Sequence, residues 1–166
     1  YWMPDVFEKF FADFDKKSTD FYDLKKLNPA YYVYFGINDF IAIPDELEKI
    51  CKVFEKEEAG SSEKLLDFIK MAKDNYKIAV TDMLYKMPGL SPLELISTDT
   101  AKRVGYFFTN IKKLVHKRFK NPKLRSILEF PVLFLGAESS NTPAFYNFMN
   151  YADFGLGTWQ PTNGFY

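Results

Sequence analysis

Apolar residues in the first part of the chain change from helical to alternating spacing. Five apolar residues between Val6 and Phe14 fall at helical spacing, which predicts a short amphipathic helix. Three runs rich in β-branched and aromatic residues follow, at 21–27, 31–35 and 39–43. A glycine and an asparagine separate the last two runs, so these are predicted to form a hairpin. The runs together predict a small antiparallel sheet.

Helical periodicity dominates the rest of the chain. Segments with apolar residues every three or four positions occur at 44–58, 61–86, 101–119, 122–135 and 143–153. Met87-Pro88-Gly89 is expected to end the second segment, and Pro131 to kink the fourth. Gly157-Thr158-Trp159 then continues in extended form. The pattern predicts one α+β domain over residues 1–166, with a small antiparallel sheet covered by five or six helices.

Composition narrows the classes of function without identifying one. Lys and Arg number 22 and Asp and Glu also 22, so the overall field gives no reason to expect nucleic-acid binding. The charge is nevertheless uneven, because residues 1–100 carry −6 and residues 101–166 carry +6. Cys51 is the single cysteine, which excludes an intrachain disulfide and favours a reducing compartment. The sequence contains no apolar stretch long enough to span a membrane, so any membrane contact is expected to be superficial.

The sequence contains no recognisable motif for binding a nucleotide or a metal ion. It contains no Gly-rich phosphate loop, of either the dinucleotide-binding or the P-loop type. One Cys and one His, without metal-ligand spacing, predict no metal site. His116 is interpreted as a solvated helical residue. Asp153 lies in an apolar stretch and could act as an acid or base with a raised pKa, although a residue of a helix C-terminal turn is the simpler interpretation.

A purely basic segment between positions 102 and 125 has two interpretations. Nine Lys and Arg residues occur there without an acidic residue. Such an amphipathic helix can lie in an anionic membrane interface, where each basic group adds about 1 kcal/mol. The alternative is a solvated face on a helix that packs against the core. Nucleic-acid binding is the least favoured, because no known binding module surrounds the segment. The membrane interpretation assigns the contact to Lys112, Lys113, Lys117 and Arg118.

A family resemblance rests mainly on ordered motifs in the last third of the chain. These are Asn121-Pro122-Lys123-Leu124, Phe130-Pro131-Val132-Leu133-Phe134-Leu135-Gly136-Ala137, Asn141-Thr142-Pro143-Ala144, Met149-Asn150-Tyr151-Ala152-Asp153 and Gly157-Thr158-Trp159-Gln160-Pro161. In this order they resemble the central part of bacterial-type phytoene desaturases, which are flavin-dependent carotenoid dehydrogenases of the amine-oxidase-like superfamily. The likeness spans essentially the whole chain and departs at Gln160 and Asn163, where relatives usually carry an aromatic residue and a glycine.

The resemblance implies an FAD-dependent oxidoreductase that removes hydrogen from a C30 or C40 polyene, such as diapophytoene or phytoene, in carotenoid biosynthesis. It places the flavin-binding segments before residue 1 and after residue 166. The chain is therefore expected to be the substrate-binding domain of a flavoprotein, to hold no FAD of its own and to be inactive in isolation. The resemblance also implies a cytoplasmic protein peripheral to the inner face of the membrane.

A polyene offers almost nothing to hydrogen-bond, so it must be held by apolar area, at about 25 cal/mol per Å² buried. Six residues are candidates for the substrate wall: Phe130, Phe134, Phe145, Phe148, Met149 and Trp159. Three more, Tyr1, Trp2 and Met3, are expected near the flavin. Core packing is the competing interpretation for each of them. The alternative functions are a non-enzymatic membrane- or partner-binding helical module and a carrier of apolar ligands.

Overall fold

A computed structural model describes residues 1–84, 105 and 108–164. The α-helices in these ranges are α1 Pro4–Ala12, α2 Leu47–Glu57, α3 Ser61–Tyr76, α4 Ile111–Arg118, α5 Pro122–Glu129 and α6 Phe148–Phe154. The strands are β1 Leu24–Lys26, β2 Tyr31–Gly36, β3 Asp39–Ile43 and β4 Trp159–Pro161. A π-helical segment, Lys77–Leu84, continues α3, and 3₁₀ segments occupy Ser18–Asp20, Phe130–Leu135 and Ala144–Asn147. The predicted α+β class is confirmed.

The strands form two antiparallel ladders. β2 and β3 make the predicted hairpin, in which Tyr31 lies opposite Ile43. β1 pairs with β4, near the other end of the chain, and Lys26 lies opposite Trp159. The antiparallel arrangement is as expected, and the structure adds its division into two two-stranded sheets. Local sequence pattern does not encode the pairing of β1 with β4, because the two strands are separated by most of the chain.

The core is an aromatic and aliphatic cluster between the helices and the hairpin. Phe54 of α2, Phe68 of α3 and Phe119, directly after α4, are all fully buried. The ring of Phe119 meets those of Phe54 and Phe68 edge to face, at centroid distances of 6.1 and 6.2 Å. Cys51 is buried in the same cluster, as a small core residue. These contacts hold three helices around one centre and support the hairpin.

Three helices have bounds that differ from those predicted by their apolar periodicity. α2 begins at Leu47 and not at Pro44. α4 begins at Ile111 because Asn110 caps it, its side-chain oxygen accepting a hydrogen bond from the backbone N–H of Lys113 at 2.8 Å. The helix predicted for 122–135 changes to 3₁₀ geometry immediately before Pro131, which lacks the N–H needed to continue an α-helix. The predicted break at Met87-Pro88-Gly89 lies outside the described residues, as do residues 101–104, 106 and 107 of the helix predicted for 101–119.

The first residues of the chain lie beside β4. The backbone N–H of Trp159 donates to the carbonyl oxygen of Tyr1 at 2.8 Å. The carbonyl of Thr158 accepts a hydrogen bond from the backbone N–H of Leu27 at 2.9 Å. Residues far apart in sequence are thereby brought to one edge of the fold, next to β2.

Candidate ligand-binding cavity

A cavity of about 730 Å³ lies between the first residues of the chain, β2 and the segment that follows α5. This volume is in the range of small-molecule sites. Its wall is mostly aromatic and aliphatic, and its side-chain polar groups are the hydroxyls of tyrosines and of Thr158 and the indole N–H of Trp2. The cavity therefore suits a ligand that is apolar over most of its surface.

Six residues predicted to contact the polyene or to lie near the flavin line this one cavity: Tyr1, Trp2, Met3, Phe130, Phe134 and Met149. The other three lie elsewhere. Phe145 is buried and its ring lies 5.9 Å from that of Phe148, which also packs against Tyr76. The indole Nε1 of Trp159 donates to the carbonyl of Leu156 at 2.9 Å. The positions of these three residues favour packing over ligand contact.

One wall of the cavity is built from rings that come from three separate segments. The ring of Trp2 lies 4.8 Å from that of Phe134, at an interplanar angle of 74°. Phe130 lies 5.5 Å from Phe134 and 5.9 Å from Tyr31. The edge-to-face contacts of Phe134 with Trp2 and Phe130 stabilise these rings beyond the area they bury. The result is a continuous aromatic surface facing the cavity.

Sequence reasoning missed the contribution of β2. Ala30 and the following residues up to Tyr34 line the cavity, but the sequence predicted them merely as part of a hairpin. A signal was present, since Tyr31-Tyr32-Val33-Tyr34 carries large side chains at both alternating positions. One face of a two-stranded hairpin is normally polar, so apolar residues on both faces indicate a second buried or binding surface.

Asp153 lies behind this wall, in the last turn of α6, and is 3% exposed. One carboxylate oxygen accepts a hydrogen bond from the hydroxyl of Tyr31, and the other accepts one from Oγ1 of Thr158 at 3.4 Å. Thr158 Oγ1 in turn accepts from the indole Nε1 of Trp2 at 2.8 Å. The carboxyl group is thus connected to three residues of the cavity wall without lining it.

Burial controls the protonation of this group. It raises the pKa of Asp153 to about 7, although the hydrogen bonds from Tyr31 and Thr158 lower it. Burial and the neighbouring charge of Asp153 raise the pKa of Tyr31 above its ordinary value. Near neutral pH, Asp153 can therefore gain or lose a proton, while Tyr31 stays neutral and remains a hydrogen-bond donor.

A second cavity of about 590 Å³ shares Val33, Tyr34 and Phe130 with the first and has a more polar lining. Within it, Ser139 donates a hydrogen bond to Glu129. His116, expected to be solvated, is half-buried, and its Nε2 lies 2.8 Å from the other carboxylate oxygen of Glu129. This contact ties α4 to the end of α5, where the aromatic wall begins.

The basic segment is part of a core-packed helix where the structure describes it. Its apolar residues Ile111, Leu114 and Val115 are buried, so they are not available to enter a membrane. The lysines at 112, 113 and 117 are exposed, whereas Arg118 is half-buried and donates to the carbonyl of Leu114 at 3.4 Å. This arrangement favours a solvated face, and any membrane contact would be made by the exposed lysines.

Residues 1–84, 105 and 108–164 contain neither a metal-binding cluster nor a membrane-spanning helix. In these ranges, no group of three or more His, Cys, Asp or Glu residues is placed to hold a metal ion. The same part of the chain contains no helix long and apolar enough to cross a membrane.

Comparison with known proteins shows which proteins the chain is similar to. No protein-family model matches it. It is 34% identical, over 99% of its length, to a carotenoid 3,4-desaturase of Haloarcula japonica, and covers 34% of that protein. It is 28% identical to a phytoene desaturase of Phycomyces blakesleeanus, over 99% of the chain and 29% of the relative.

A 4,4'-diapophytoene desaturase of Staphylococcus haemolyticus is 25% identical over 87% of the chain, which covers 29% of that relative. The chain thus spans about a third of the length of the curated relatives it matches. These relatives carry the names that the motifs of the last third of the chain predict. Over nearly its whole length, this chain is therefore similar to carotenoid, phytoene and diapophytoene desaturases, which confirms the resemblance.

Proposed function

We propose that this chain forms the polyene-binding part of an FAD-dependent carotenoid or phytoene desaturase that acts on a C30 or C40 substrate in carotenoid biosynthesis. The observation that carries the proposal is the aromatic cavity built by Trp2, Tyr31, Phe130 and Phe134. The names of the relatives, which are carotenoid, phytoene and diapophytoene desaturases, support the same substrate class.

Apolar burial supplies the binding free energy in this proposal. Each methylene group removed from water contributes about 0.8 kcal/mol, so one five-carbon isoprene unit contributes about 4 kcal/mol before the cost of ordering it. The aromatic wall is held by ring contacts and by the bonds to Asp153, so little of this free energy is lost in arranging the wall. A hydrocarbon substrate needs no polar partner in such a site.

The residues described do not fit an FAD site. A dinucleotide-binding unit needs parallel strands and a Gly-rich turn that opens a helix, whereas the described strands pair antiparallel and the sequence lacks that motif. The proposal therefore assigns FAD to the parent protein outside this chain. Tyr1, Trp2 and Met3 are proposed to lie at the flavin end of the cavity, because they line it beside the candidate substrate wall.

Peripheral contact with the cytoplasmic face of the membrane is part of the proposal. Lys112, Lys113 and Lys117 are exposed on α4 and can be attracted to anionic lipid, at about 1 kcal/mol each. Because the apolar side of α4 is buried, this contact would be electrostatic and would weaken as salt is added.

The test is polyene turnover by the parent enzyme in cells that make phytoene or its C30 analogue. Phe134 and Phe14 are both 63% exposed, so Phe134→Ala and Phe14→Ala form a matched pair with one change inside the cavity. Phe134→Ala is expected to lower pigment formation several-fold while FAD absorbance per protein is retained, and Phe14→Ala to change neither.

Equal pigment formation by the two variants would overturn the assignment of the cavity. A folded parent protein that binds polyene, lacks flavin and forms no new pigment would instead support the apolar-ligand carrier. Chromatography of the pigments also measures the number of desaturations.

A further inference from the structure

A single buried carboxyl group reaches two sides of the cavity wall. Asp153 bonds Tyr31, which lies on β2, through one oxygen, and Thr158, which directly precedes β4, through the other. β2 belongs to one ladder and β4 to the other, and no ladder hydrogen bond joins the two. The carboxyl group therefore connects two parts of the wall that backbone pairing leaves separate.

The connection extends to the aromatic surface. Thr158 accepts a hydrogen bond from the indole of Trp2, whose ring lies 4.8 Å from Phe134. Tyr31 in turn lies 5.9 Å from Phe130. The orientations of both ends of the aromatic wall thus depend on hydroxyl groups whose shared partner is Asp153.

The position of Asp153 allows it to support the cavity wall but not to contact a ligand in the cavity. The side chain is 3% exposed and is absent from the cavity lining, because Tyr31 and Thr158 lie in front of it. A buried polar group that bonds on both sides restricts the rotamers of its partners, and such supporting bonds hold a site in its binding geometry. The geometry favours support over contact with reacting carbons.

We propose that Asp153 is a positioning residue for the apolar ligand. It holds Tyr31 and, through Thr158, Trp2 at the separation that admits an extended polyene, and it does not touch the ligand itself. This inference rests on the proposed polyene-binding function and adds a residue that sets the width of the site.

The probe is diphenylhexatriene, an apolar polyene that fluoresces when it leaves water. It is titrated into the purified parent protein. Asp153→Leu keeps the size and removes both acceptors, whereas Asp153→Asn keeps one acceptor for Tyr31. Asn150→Leu is the matched control, because Asn150 is buried on the same helix and bonds the carbonyl of Leu128, and neither residue lines the cavity. Circular dichroism verifies that each variant is folded.

We expect Asp153→Leu to weaken probe binding about tenfold, a change of about 1.4 kcal/mol. Asp153→Asn is expected to restore affinity to within about threefold of the original protein, and Asn150→Leu to leave it unchanged. Equal weakening by Asp153→Leu and Asn150→Leu would show a general structural role and overturn the inference. Unchanged affinity in Asp153→Leu would overturn it as well.

A second variant removes the hydroxyls and leaves the carboxyl group in place. The double change Tyr31→Phe with Thr158→Val is also expected to weaken probe binding about tenfold, and it decides the question if Asp153→Leu does not fold. Unchanged affinity in this double variant refutes the positioning role. Failure of the unaltered protein to bind the probe would instead count against the proposed polyene-binding function.

Discussion

Replacing Asp153 by Asn should change the stability of the protein in a pH-dependent way. Burial raises the pKa of this carboxyl from 3.8 to about 7, so the folded protein keeps a proton that the unfolded chain has lost over this interval. Each pKa unit corresponds to 1.36 kcal/mol, so ionising Asp153 costs the folded state about 4 kcal/mol above pH 7. Below pH 3.8 both states are protonated and the cost disappears.

The sign of the effect is opposite to that of a carboxylate held in an ion pair. The free energy of unfolding of the original protein, relative to Asp153→Asn, should fall by about 1.4 kcal/mol per pH unit between pH 4 and pH 7 and then level off. Asparagine does not titrate, so subtracting the two proteins removes the contributions of the other groups they share. Asp153→Asn is therefore expected to gain stability relative to the original protein as the pH rises.

Urea denaturation at constant ionic strength, between pH 4.5 and 8.5, measures this difference. Asp67→Asn is the control, because it makes the same substitution at an exposed position on α3. A flat difference for Asp153→Asn would refute the reasoning. It would mean that the bonds from Tyr31 and Thr158 outweigh burial and keep the carboxyl ionised in the folded protein.

Three further predictions concern the core, the contacts of Glu58 at the end of α2, and the exposed lysines of α4. Phe54→Ala should lower the free energy of unfolding by about 3–5 kcal/mol, because Phe54 is fully buried against Phe119, as measured by urea denaturation. Glu58→Gln should destabilise the protein at pH 7 and much less at pH 2. Burial raises the pKa of Glu58, but bonds from Lys64 and the amides of Asn121 and Lys120 lower it to about 2, so its contribution is present above pH 4.5 and lost as the pH falls. Changing the exposed lysines of α4 to Gln should reduce sedimentation with anionic liposomes at low salt.

Each of these three predictions has a control variant or an outcome that would contradict it. Phe108→Ala, at a residue that is 85% exposed, should change stability by less than about 0.5 kcal/mol, and equal losses at both positions would contradict the core assignment. A destabilisation by Glu58→Gln that is as large at pH 2 as at pH 7 would show that packing, and not charge, is responsible. Liposome binding that survives the lysine changes would identify that surface as a solvated face.

The elements that the sequence pattern predicted well are those whose hydrogen bonds join residues close together in sequence. α1, the β2–β3 hairpin, α2 and α3 follow from apolar residues at helical or alternating spacing, since each of these elements makes its hydrogen bonds within a short stretch. Pro131 and Asn110 also carried interpretable signals, as a helix breaker and a cap. The cap at Asn110 was overlooked because the apolar periodicity before it suggested a longer helix.

The candidate site was predictable in chemistry but not in arrangement. An excess of aromatic residues and the family motifs pointed to an apolar ligand and named Phe130, Phe134 and Met149. That Trp2 and Tyr31 would join them in one wall depended on β1 pairing with β4 and on the bonds that hold the first residues beside Thr158. Pairing between segments that are far apart in the chain produces no pattern in the local spacing of residues.

The amino-acid sequence alone was sufficient to predict the α+β class, the positions of several helices and strands, and the resemblance to carotenoid and phytoene desaturases. These depend on residue type and local spacing, which are written directly in the chain. The cavity and the placement of Asp153 behind it required the folded structure. Residues 2, 31, 153 and 158 meet through contacts between distant segments, and burial, which raises the pKa of Asp153, exists after those segments have packed together.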